Sequence, residues 1–374
     1  MIRKLNRVVQ DFLRPKRLAL GRFLWDRKEN GKQCPEENII VRMNIKKILF
    51  IRTDGKIGDM VASTMMFREI KRKFPEVKIG VVARGAARDI IVNSPYVDKI
   101  YSYEKSSSVL KKLTGEIRSE GYDLLLDFSE MLRVNDMKFI NLCRAGINMG
   151  LDRKEWKLFD VSVESGKDFQ WDEHITERYG AYLKKLGIED YGTGYDVFLD
   201  SERERRAEEF CKTLKKKHPD REKIAIVNPY GASKYRSLNP ENMENIFRML
   251  DKKGYITISI YSPDKKEELE RFLNAYKGEA VYMAQNISSI LDSSALIKKA
   301  DLVITPDTSV VHIARAFDRK MIALYRKDRK DEHNLKTWGP EYPGGKVILS
   351  QADYREGEEI DINSFSMEEL QKHI

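Results

Sequence analysis

The 374-residue sequence has few of the residues that build covalent or metal-held frameworks. Its three cysteines, Cys34, Cys143 and Cys211, are odd in number and far apart. This pattern predicts neither a disulfide framework nor a zinc site, and a reducing cytoplasm is the compartment that suits it best. The five histidines are equally dispersed, and no Asp-x-Asp pair follows a predicted strand. We therefore expect no metal site.

Long apolar runs and the common nucleotide fingerprints are also absent. No run approaches the roughly 18 apolar residues that a membrane-spanning helix needs, and charges interrupt the N-terminus too often for a secretory signal. Neither G-x-G-x-x-G nor G-x-x-x-x-G-K-S/T occurs, which excludes a dinucleotide fingerprint and a P-loop. We expect a soluble or peripheral protein that, at this length, has two domains or one large one.

The net charge of +9 is concentrated at the N-terminus. Residues 1–28 contain nine lysines and arginines against two aspartates, a net charge of +7. Apolar residues recur among these charges at helical spacing on both sides of Pro15, which should break the helix. They are Ile2, Leu5, Val8, Val9, Phe12, Leu13, Leu18, Leu20, Phe23, Leu24 and Trp25.

A basic amphipathic segment with aromatic residues is typical of contact with an anionic membrane surface. An ordinary helix that packs on the body of the protein and exposes a basic face would show the same pattern. Nucleic-acid binding is a third interpretation, but no recognised nucleic-acid module accompanies the charge. We therefore predict a membrane partner for residues 1–28 and no nucleic acid.

Strand and helix patterns alternate along two successive stretches of the chain. We predict a basic extension over 1–43 that ends in a linker at 30–43, a first domain over 44–198 and a connecting helix over 199–220. A second domain over 221–350 and a tail or helix over 351–374 complete the division. Alternation of this kind predicts a doubly wound parallel α/β fold. The predicted strands are 46–51, 77–83, 99–103, 122–128, 223–228, 256–261, 280–283, 302–304 and 321–325, and the predicted helices are 60–74, 86–93, 107–120, 172–186, 201–218, 241–252, 264–275 and 288–299.

The most informative turn lies at residues 305–309, where an apolar run gives way to Thr-Pro-Asp-Thr-Ser and then to a helical pattern. N–H groups at the start of a helix are unpaired and carry partial positive charge, and open parallel sheets bind ligands at this edge. Asp307, Thr308 or Ser309 can cap the helix, and His312 lies one turn further on. The turn predicts a phosphate site or, alternatively, a simple helix cap.

An earlier strand–helix turn, residues 54–59, reads Asp-Gly-Lys-Ile-Gly-Asp. Its glycines allow the backbone to approach a ligand closely. Asp59 stands at the predicted start of the helix, where a carboxylate can serve as an N-cap. The alternative is that Asp59 faces a cleft as a general base that takes a proton from a substrate hydroxyl.

A third turn, residues 228–236, reads Asn-Pro-Tyr-Gly-Ala-Ser-Lys-Tyr-Arg. Backbone N–H groups of such a loop, together with Lys234 and Arg236, could hold a diphosphate, although solvated surface charges would look alike. The loop falls in the same half of the chain as residues 305–309, so the two turns suit a nucleotide diphosphate better than a single phosphate. His174, at another predicted helix start, is expected to pack or cap and not to catalyse.

Three segments, in their order and spacing, resemble the ADP-heptose:lipopolysaccharide heptosyltransferases, which are glycosyltransferase family 9. The segments are 55–75 (GKIGDMVASTMMFREIKRKFP), 228–243 (NPYGASKYRSLNPENM) and 305–317 (TPDTSVVHIARAF), and the resemblance covers about residues 45–340. It implies a GT-B fold, in which two Rossmann-like domains face each other across a cleft, with the acceptor on the first and the sugar nucleotide on the second. It also implies an inverting reaction that uses no metal and no other cofactor.

The resemblance further implies roles for individual residues. Asp59 would deprotonate the acceptor hydroxyl, next to an acceptor-side loop of Gly55, Lys56 and Gly58. Other residues would bind the donor and stabilise its departing diphosphate, with Asp307 also contacting the donor sugar. The donor-binding residues are Ala232, Ser233, Lys234, Arg236, Asp307, Thr308, Ser309 and His312, with the N–H groups of Thr308 and Ser309 included.

Two positions depart from the family pattern. Residues 236–240 (Arg-Ser-Leu-Asn-Pro) replace the usual Lys before an aromatic–Pro pair, so that Arg236 or Lys234 supplies the cation. Ser309 stands where the family usually has Gly. These departures concern the donor sugar more than the reaction type.

The sequence therefore predicts a metal-independent glycosyltransferase that moves a sugar, by resemblance heptose from ADP-heptose, to a lipid-linked lipopolysaccharide core-type acceptor. It would act in the cytoplasm as a peripheral protein on the inner face of the bacterial inner membrane. One alternative is the same fold with another nucleotide sugar and a capsule, surface-glycan or protein acceptor. The other alternative is a non-catalytic assembly protein that binds sugar nucleotides.

Overall fold

Two six-stranded parallel sheets, one in each half of the chain, form the framework of the protein. The computed structural model describes residues 15–28, 34–329, 332–353 and 360–374. The first sheet contains β1 (Lys47–Arg52), β2 (Lys78–Ala83), β3 (Lys99–Ser102), β4 (Leu124–Asp127), β5 (Ile147–Leu151) and β6 (Val161–Val163). The second contains β7 (Lys223–Val227), β8 (Tyr255–Ser259), β9 (Val281–Met283), β10 (Leu302–Pro306), β11 (Met321–Tyr325) and β12 (Gly345–Leu349). Their spatial orders are β3-β2-β1-β4-β5-β6 and β12-β11-β10-β7-β8-β9, and all pairings are parallel.

Helices connect the strands and bury them. The central strands β1, β4, β7 and β10 are almost entirely inaccessible to solvent, as expected of a parallel sheet that is covered on both faces. The helices are α1 (15–25), α2 (Ile39–Arg42), α3 (Ile57–Lys73), α4 (Ser107–Glu120), α5 (Val134–Cys143), α6 (Ile175–Leu186), α7 (Ser201–Lys217), α8 (Pro240–Lys252), α9 (Lys266–Ala275), α10 (Ile290–Lys298), α11 (Ser309–Ala316), α12 (Asn334–Trp338) and α13 (Met367–His373).

Each sheet has one position at which its winding reverses. In the first sheet this position lies between β1 and β4, and in the second it lies between β7 and β10. At such a point the two flanking turns diverge to opposite faces and leave a crevice at the carboxyl ends of the strands, where α/β proteins bind ligands. The turns after β1, β7 and β10 are the three turns that the sequence singled out.

The predicted fold class, two doubly wound α/β units, is confirmed. The helix predicted over 107–120 is α4, which ends at Gly121 in the left-handed conformation (φ 64°) that glycine adopts at low cost. Residues 192–200 have no regular secondary structure, and the charged helix predicted over 201–218 is α7. The tail ends in the helix α13.

Other local predictions were wrong. The linker predicted over 30–43 contains α2, whose Ile39 and Ile40 are buried because they pack into the core of the first unit. The helix predicted over 86–93 is instead a 3₁₀ helix, Gly85–Ile91. The sequence also gave no signal for α5, β5 and β6, since β6 has only three residues and Asn148 and Gly150 interrupt the apolar pattern of β5. The strand β12 and the helix α12 were missed as well.

The N-terminal predictions are covered only in part. The amphipathic pattern over residues 2–14 lies outside the described residues. Residues 15–25 are helical, with Pro15 as the first described residue. No helix in the described part of the chain combines the length and the apolar character needed to cross a membrane.

Candidate active site

A cavity of about 570 Å³ opens at the carboxyl ends of β1 to β4. Side chains that end or follow these strands form its wall, among them Arg52 from β1, Arg84 after β2, Lys105 after β3 and Ser129 after β4. Among the described residues of the second half of the chain, Trp338 is the one that contributes to the wall. The cavity is therefore a cleft of the first unit that the second unit closes on one side.

Asp59 lies in the first turn of α3 and lines this cavity. The N-cap position belongs to Lys56, and the Asp59 side chain makes no capping hydrogen bond, so the interpretation of Asp59 as a helix cap is not what the structure shows. Its carboxylate is 17% exposed, and its Oδ2 lies 3.8 Å from Nζ of Lys56. Burial raises the pKa of the Asp59 carboxyl, and nearby Arg52 and Lys56 only partly oppose this effect. A carboxylate with a raised pKa that faces a cleft is suited to proton abstraction.

Arg52, at the end of β1, supports the first turn of α3 from below. Its guanidinium donates to the Asp59 backbone oxygen (2.8 Å), to Oγ of Ser63 (2.8 Å from Nε) and to the Tyr179 hydroxyl. The guanidinium is buried and does not bond the Asp59 carboxylate itself. The carboxylate thus keeps its lone pairs for a substrate while the backbone that carries it is held in place.

The raised pKa of Asp59 predicts the acidic limb of the activity profile. A general base must be deprotonated, so kcat/KM should fall as the pH drops through the pKa of Asp59, which lies above the ~3.9 of a free aspartate. His312 should add no limb there, because burial, with nearby His174 and Arg315, lowers its pKa to about 3. A pH–rate profile measures this. A limb at or below the pKa of free aspartate would contradict the assignment.

The turn between β10 and α11 is built around the N-cap Thr308. Its Oγ1 accepts from the N–H of Val310 (3.3 Å) and from the Nδ2 of Asn228 (3.2 Å), the residue that directly follows the neighbouring strand β7. Asn228 also donates to Oγ1 of Thr305 (3.0 Å), so one amide holds the two turns together. Within the described residues no acceptor takes the N–H groups of Thr308 and Ser309, which leaves them available to an anion.

The two ends of the loop between β7 and α8 are joined by a hydrogen bond within the loop. The N–H of Gly231 donates to Oγ of Ser237 (3.0 Å), so this amide is not available for a phosphate. A side chain at Gly231 would lie 2.0 Å from the carbonyl oxygen of Arg236, which means that only glycine fits there. The closure fixes the backbone of Arg236, whose NH1 lies 4.0 Å from Oδ2 of Asp307.

The two candidate cations of this loop point in different directions. Arg236 is 34% exposed and faces Asp307, and its guanidinium has no hydrogen-bond partner among the described residues. Lys234 is exposed, and its Nζ lies 4.7 Å from the centroid of the Tyr235 ring. Of the two, Arg236 is the cation that lies beside the turn at the start of α11.

His312 lies in the contact between the two units. Its ring packs between Tyr195 (5.9 Å between centroids) and Trp338 (5.8 Å), and among the described residues neither ring nitrogen has a hydrogen-bond partner. A Cβ at Gly58 would lie only 2.7 Å from Cδ2 of His312 and 3.6 Å from the Cα of Ser309. Glycine at position 58 therefore lets the start of α3 lie directly against the start of α11.

The predicted site residues form two adjoining groups. Lys56 and Asp59 line the cavity of the first unit, and Arg236, Asp307 and Thr308 lie at the carboxyl ends of β7 and β10. The predicted donor residues do not line the cavity itself, and Ala232 is exposed on the loop. The two groups meet where α3 and α11 begin.

His174 has the structural role that the sequence suggested. It is the N-cap of α6, where its Nδ1 accepts from the N–H of Thr176 (3.4 Å). Its Nε2 lies 3.2 Å from the Gly339 carbonyl oxygen and 3.2 Å from NH1 of Arg315, both of which belong to the second half of the chain. Burial, together with Arg315, lowers the pKa of His174 to about 4. His174 thus joins the two units as a neutral side chain.

Three residues important to this site were not identified from the sequence. Arg52 is an ordinary strand residue in the linear pattern, and only its burial reveals that it holds α3. Asn228 was part of a quoted motif, but its link to Thr308 depends on the adjacency of β7 and β10. Trp338 follows the last predicted strand without any periodic signal. In the described part of the chain, no group of three or more His, Cys, Asp or Glu residues is placed to hold a metal ion.

The two facing α/β units, with a polar cleft in one and a helix-start anion turn in the other, have the architecture of the GT-B fold. The solved structure of a family 9 glycosyltransferase from Veillonella parvula DSM 2008 has this fold, with a TM-score of 0.72, 16% identity, and coverage of 88% of this chain and 96% of that chain. Escherichia coli ADP-heptose LPS heptosyltransferase II matches with a TM-score of 0.64, 15% identity, and coverage of 87% and 97%.

The chain belongs to glycosyltransferase family 9 (heptosyltransferase), whose sequence model matches residues 110–355. It is therefore an enzyme that transfers a sugar, which sets aside the non-catalytic alternative. Among curated relatives, the Escherichia coli (strain K12) protein named "Putative lipopolysaccharide heptosyltransferase 4" is 25% identical over 311 residues, which cover 82% of each chain.

Proposed function

We propose that this enzyme transfers heptose from ADP-heptose to a lipopolysaccharide core-type acceptor, with inversion and without a metal. The observation that carries the proposal is the contact at Gly58. At this contact the start of α3, which carries Asp59, packs against the start of α11, which follows the turn of Thr308 and Ser309. A base for an acceptor hydroxyl and a site for a leaving diphosphate thus adjoin each other, as a single displacement at the anomeric carbon requires.

The reaction assigns a different task to each group of residues. Asp59 takes the proton of the acceptor hydroxyl while the acceptor oxygen attacks the anomeric carbon from the face opposite the diphosphate. Arg236 and the free N–H groups at the start of α11 stabilise the charge that develops on the diphosphate. Neutral His312 can donate one hydrogen bond to the same anion. Fixed cations and helix-start dipoles in this arrangement are a way to stabilise the leaving group without a metal.

The names of relatives support the donor and the acceptor. One structural relative is an ADP-heptose LPS heptosyltransferase, and the curated relative is named for lipopolysaccharide heptose transfer. The cavity adds support for an anionic acceptor, because the side chains of Arg84, Lys105 and Arg133 line it without an ion-pair partner among the described residues. The proposed lipopolysaccharide core-type acceptor is lipid-linked. The enzyme would therefore act at the cytoplasmic face of the inner membrane, which it would contact through residues 1–28.

A donor panel tests this function. The purified full chain should show a rise in melting temperature with ADP-heptose that is larger than with other nucleotide sugars, since a ligand that binds only the folded state stabilises it. Transfer is then assayed with truncated lipopolysaccharide cores as acceptors, and the anomeric configuration of the product is read by NMR. A stronger shift and turnover with a different nucleotide sugar would replace heptose as the donor, and a retained configuration would exclude the inverting mechanism.

A further inference from the structure

The helix α1 is clamped along α5 of the first unit. A Cβ at Gly21 would lie 2.6 Å from Cγ2 of Val134, the first residue of α5, so this glycine permits close contact. At the far end of α5, the side-chain amide of Asn141 donates to the carbonyl oxygens of Trp25 (3.2 Å) and Arg27 (2.8 Å). The two helices therefore run side by side in the same direction.

Polar contacts reinforce this clamp beyond α5. Arg22 donates to the Glu155 carbonyl oxygen (2.9 Å) and lies 4.3 Å above the Trp156 ring. Asp26 is buried and accepts from the N–H of Leu158 (2.9 Å). With these anchors on Gly21, Arg22 and Asp26, α1 has one fixed face and cannot roll on the surface.

The opposite face of α1 is apolar and exposed. At 100° per residue, Leu20 and Phe23 fall about 100° and about 160° around the helix from Gly21, and Leu24 falls about 60° from it. Their exposed fractions are 59%, 80% and 39%. Lys16 lies on the same side as Leu20 and Phe23 by this spacing, about 140° from Gly21, within a segment whose net charge is +7 over residues 1–28. A row of exposed large apolar side chains among cations is the composition of a helix that lies in the interface of an anionic membrane.

The start of α1 lies at the edge of the first unit where the acceptor cavity opens. Residues 15–20 precede Gly21 and so extend roughly 9 Å past the start of α5, on the side where the strands end and the cavity opens. The loop that leads into α5 carries Met131 and Arg133, both of which line the cavity, and Met131 is 59% exposed. The first residues of α1 and the cavity rim thus lie at the same end of α5.

We propose that Leu20, Phe23 and Leu24, the insertion face, enter an anionic lipid bilayer and turn the mouth of the acceptor cavity towards it. The charge of the segment selects the anionic surface, and the apolar side chains supply the part of the affinity that salt does not screen. Because α1 is clamped to the acceptor unit, insertion sets the orientation of the whole cavity. This inference rests on the proposed function, in which the acceptor is anchored in that bilayer.

The test compares the full chain with a Leu20→Ser/Phe23→Ser double variant in co-sedimentation with vesicles of phosphatidylcholine, with and without phosphatidylglycerol. Val41→Ser is the matched control, because Val41 is 65% exposed but lies before β1, at the opposite edge of the sheet. We expect the full chain to bind only the anionic vesicles and the double variant to bind them at least about tenfold more weakly. The control should bind like the unchanged chain, and analytical ultracentrifugation should show the same mass for all three.

Transfer to two acceptors separates this inference from the proposed function. The double variant should keep its kcat/KM for a soluble truncated core and lose transfer to the same core carried on lipid in anionic vesicles. If no acceptor is used by any protein, the proposed function fails while the sedimentation result still stands. Equal vesicle binding by the double variant, absence of binding by the full chain, or a dimer that the substitutions dissociate would each overturn the insertion face.

Discussion

Replacing Asp59 with asparagine is expected to reduce kcat by about 10²- to 10⁴-fold, the range attributed to a positioned general base, with little change in donor affinity. The asparagine side chain has nearly the same shape but cannot take a proton from the acceptor. Donor affinity should survive because the diphosphate turn is built from Thr308, Ser309 and Arg236, none of which bonds the Asp59 carboxylate. Single-turnover assays measure the first effect, and calorimetric titration with the donor measures the second.

Although the Asp59→Asn substitution should lower activity, it should raise the stability of the folded protein at neutral pH. Burial raises the pKa of Asp59 in the folded protein, so the protonated form is the one that the fold favours. The contribution of this group to stability is present below the pKa of an unfolded aspartate and is lost as the pH rises through the raised folded pKa. At neutral pH the asparagine variant should therefore melt at a higher temperature, and this gain should vanish in acid. An inactive variant that melts early would point to damage to the fold.

Glu130→Gln is the matched control for this prediction. Glu130 lines the same cavity, is 62% exposed and pairs with Arg178 at 2.9 Å, so its removal changes the charge of the cleft without touching α3. Its kcat should stay close to that of the unchanged enzyme. Normal turnover by the Asp59 variant, or an equal loss in both variants, would remove Asp59 from the proton transfer.

The three turns could be predicted from the sequence because each is marked by a local pattern that does not depend on the rest of the fold. Apolar runs end at residues 51, 227 and 304, and polar or glycine-containing turns follow them. The spacing of these turns along the chain then indicated two α/β units. What the linear pattern could not supply is adjacency between strands that are distant in sequence. The link from Asn228 to Thr308 exists only because β7 pairs with β10.

Burial is the second property that the sequence did not reveal. Nothing in the sequence distinguishes Arg52 from any other charge at the end of a strand, yet its side chain is buried beneath α3, 4% exposed, where its hydrogen bonds position the turn of Asp59. Leu20 and Phe23 show the opposite behaviour to Arg52, because they are apolar side chains that are exposed. Their helical spacing predicted a packed or membrane-facing helix, and only the docking of Gly21 on Val134 shows which face is left uncovered.

Arg236→Ala is expected to reduce kcat/KM for the donor by about 10²-fold, whereas Lys234→Ala should change it by less than about fivefold. The larger effect follows from position, since Arg236 lies beside the anion turn and its five N–H donors are unoccupied among the described residues. The smaller effect follows from exposure, because a solvated cation contributes about 1 kcal/mol or less. The two variants remove the same charge from one loop, so they serve as controls for each other.

The way in which the Arg236 variant loses activity tests its role. The diphosphate gains charge as the anomeric bond breaks, so a guanidinium that contacts it stabilises the transition state more than the bound donor. Most of the loss should then appear in kcat and less in KM, and Arg236→Lys should recover only part of it because a point charge cannot make a bidentate contact. Steady-state kinetics with varied donor measure the split. If Lys234→Ala shows the larger loss instead, the loop must rearrange when the donor binds and Lys234 must hold the diphosphate.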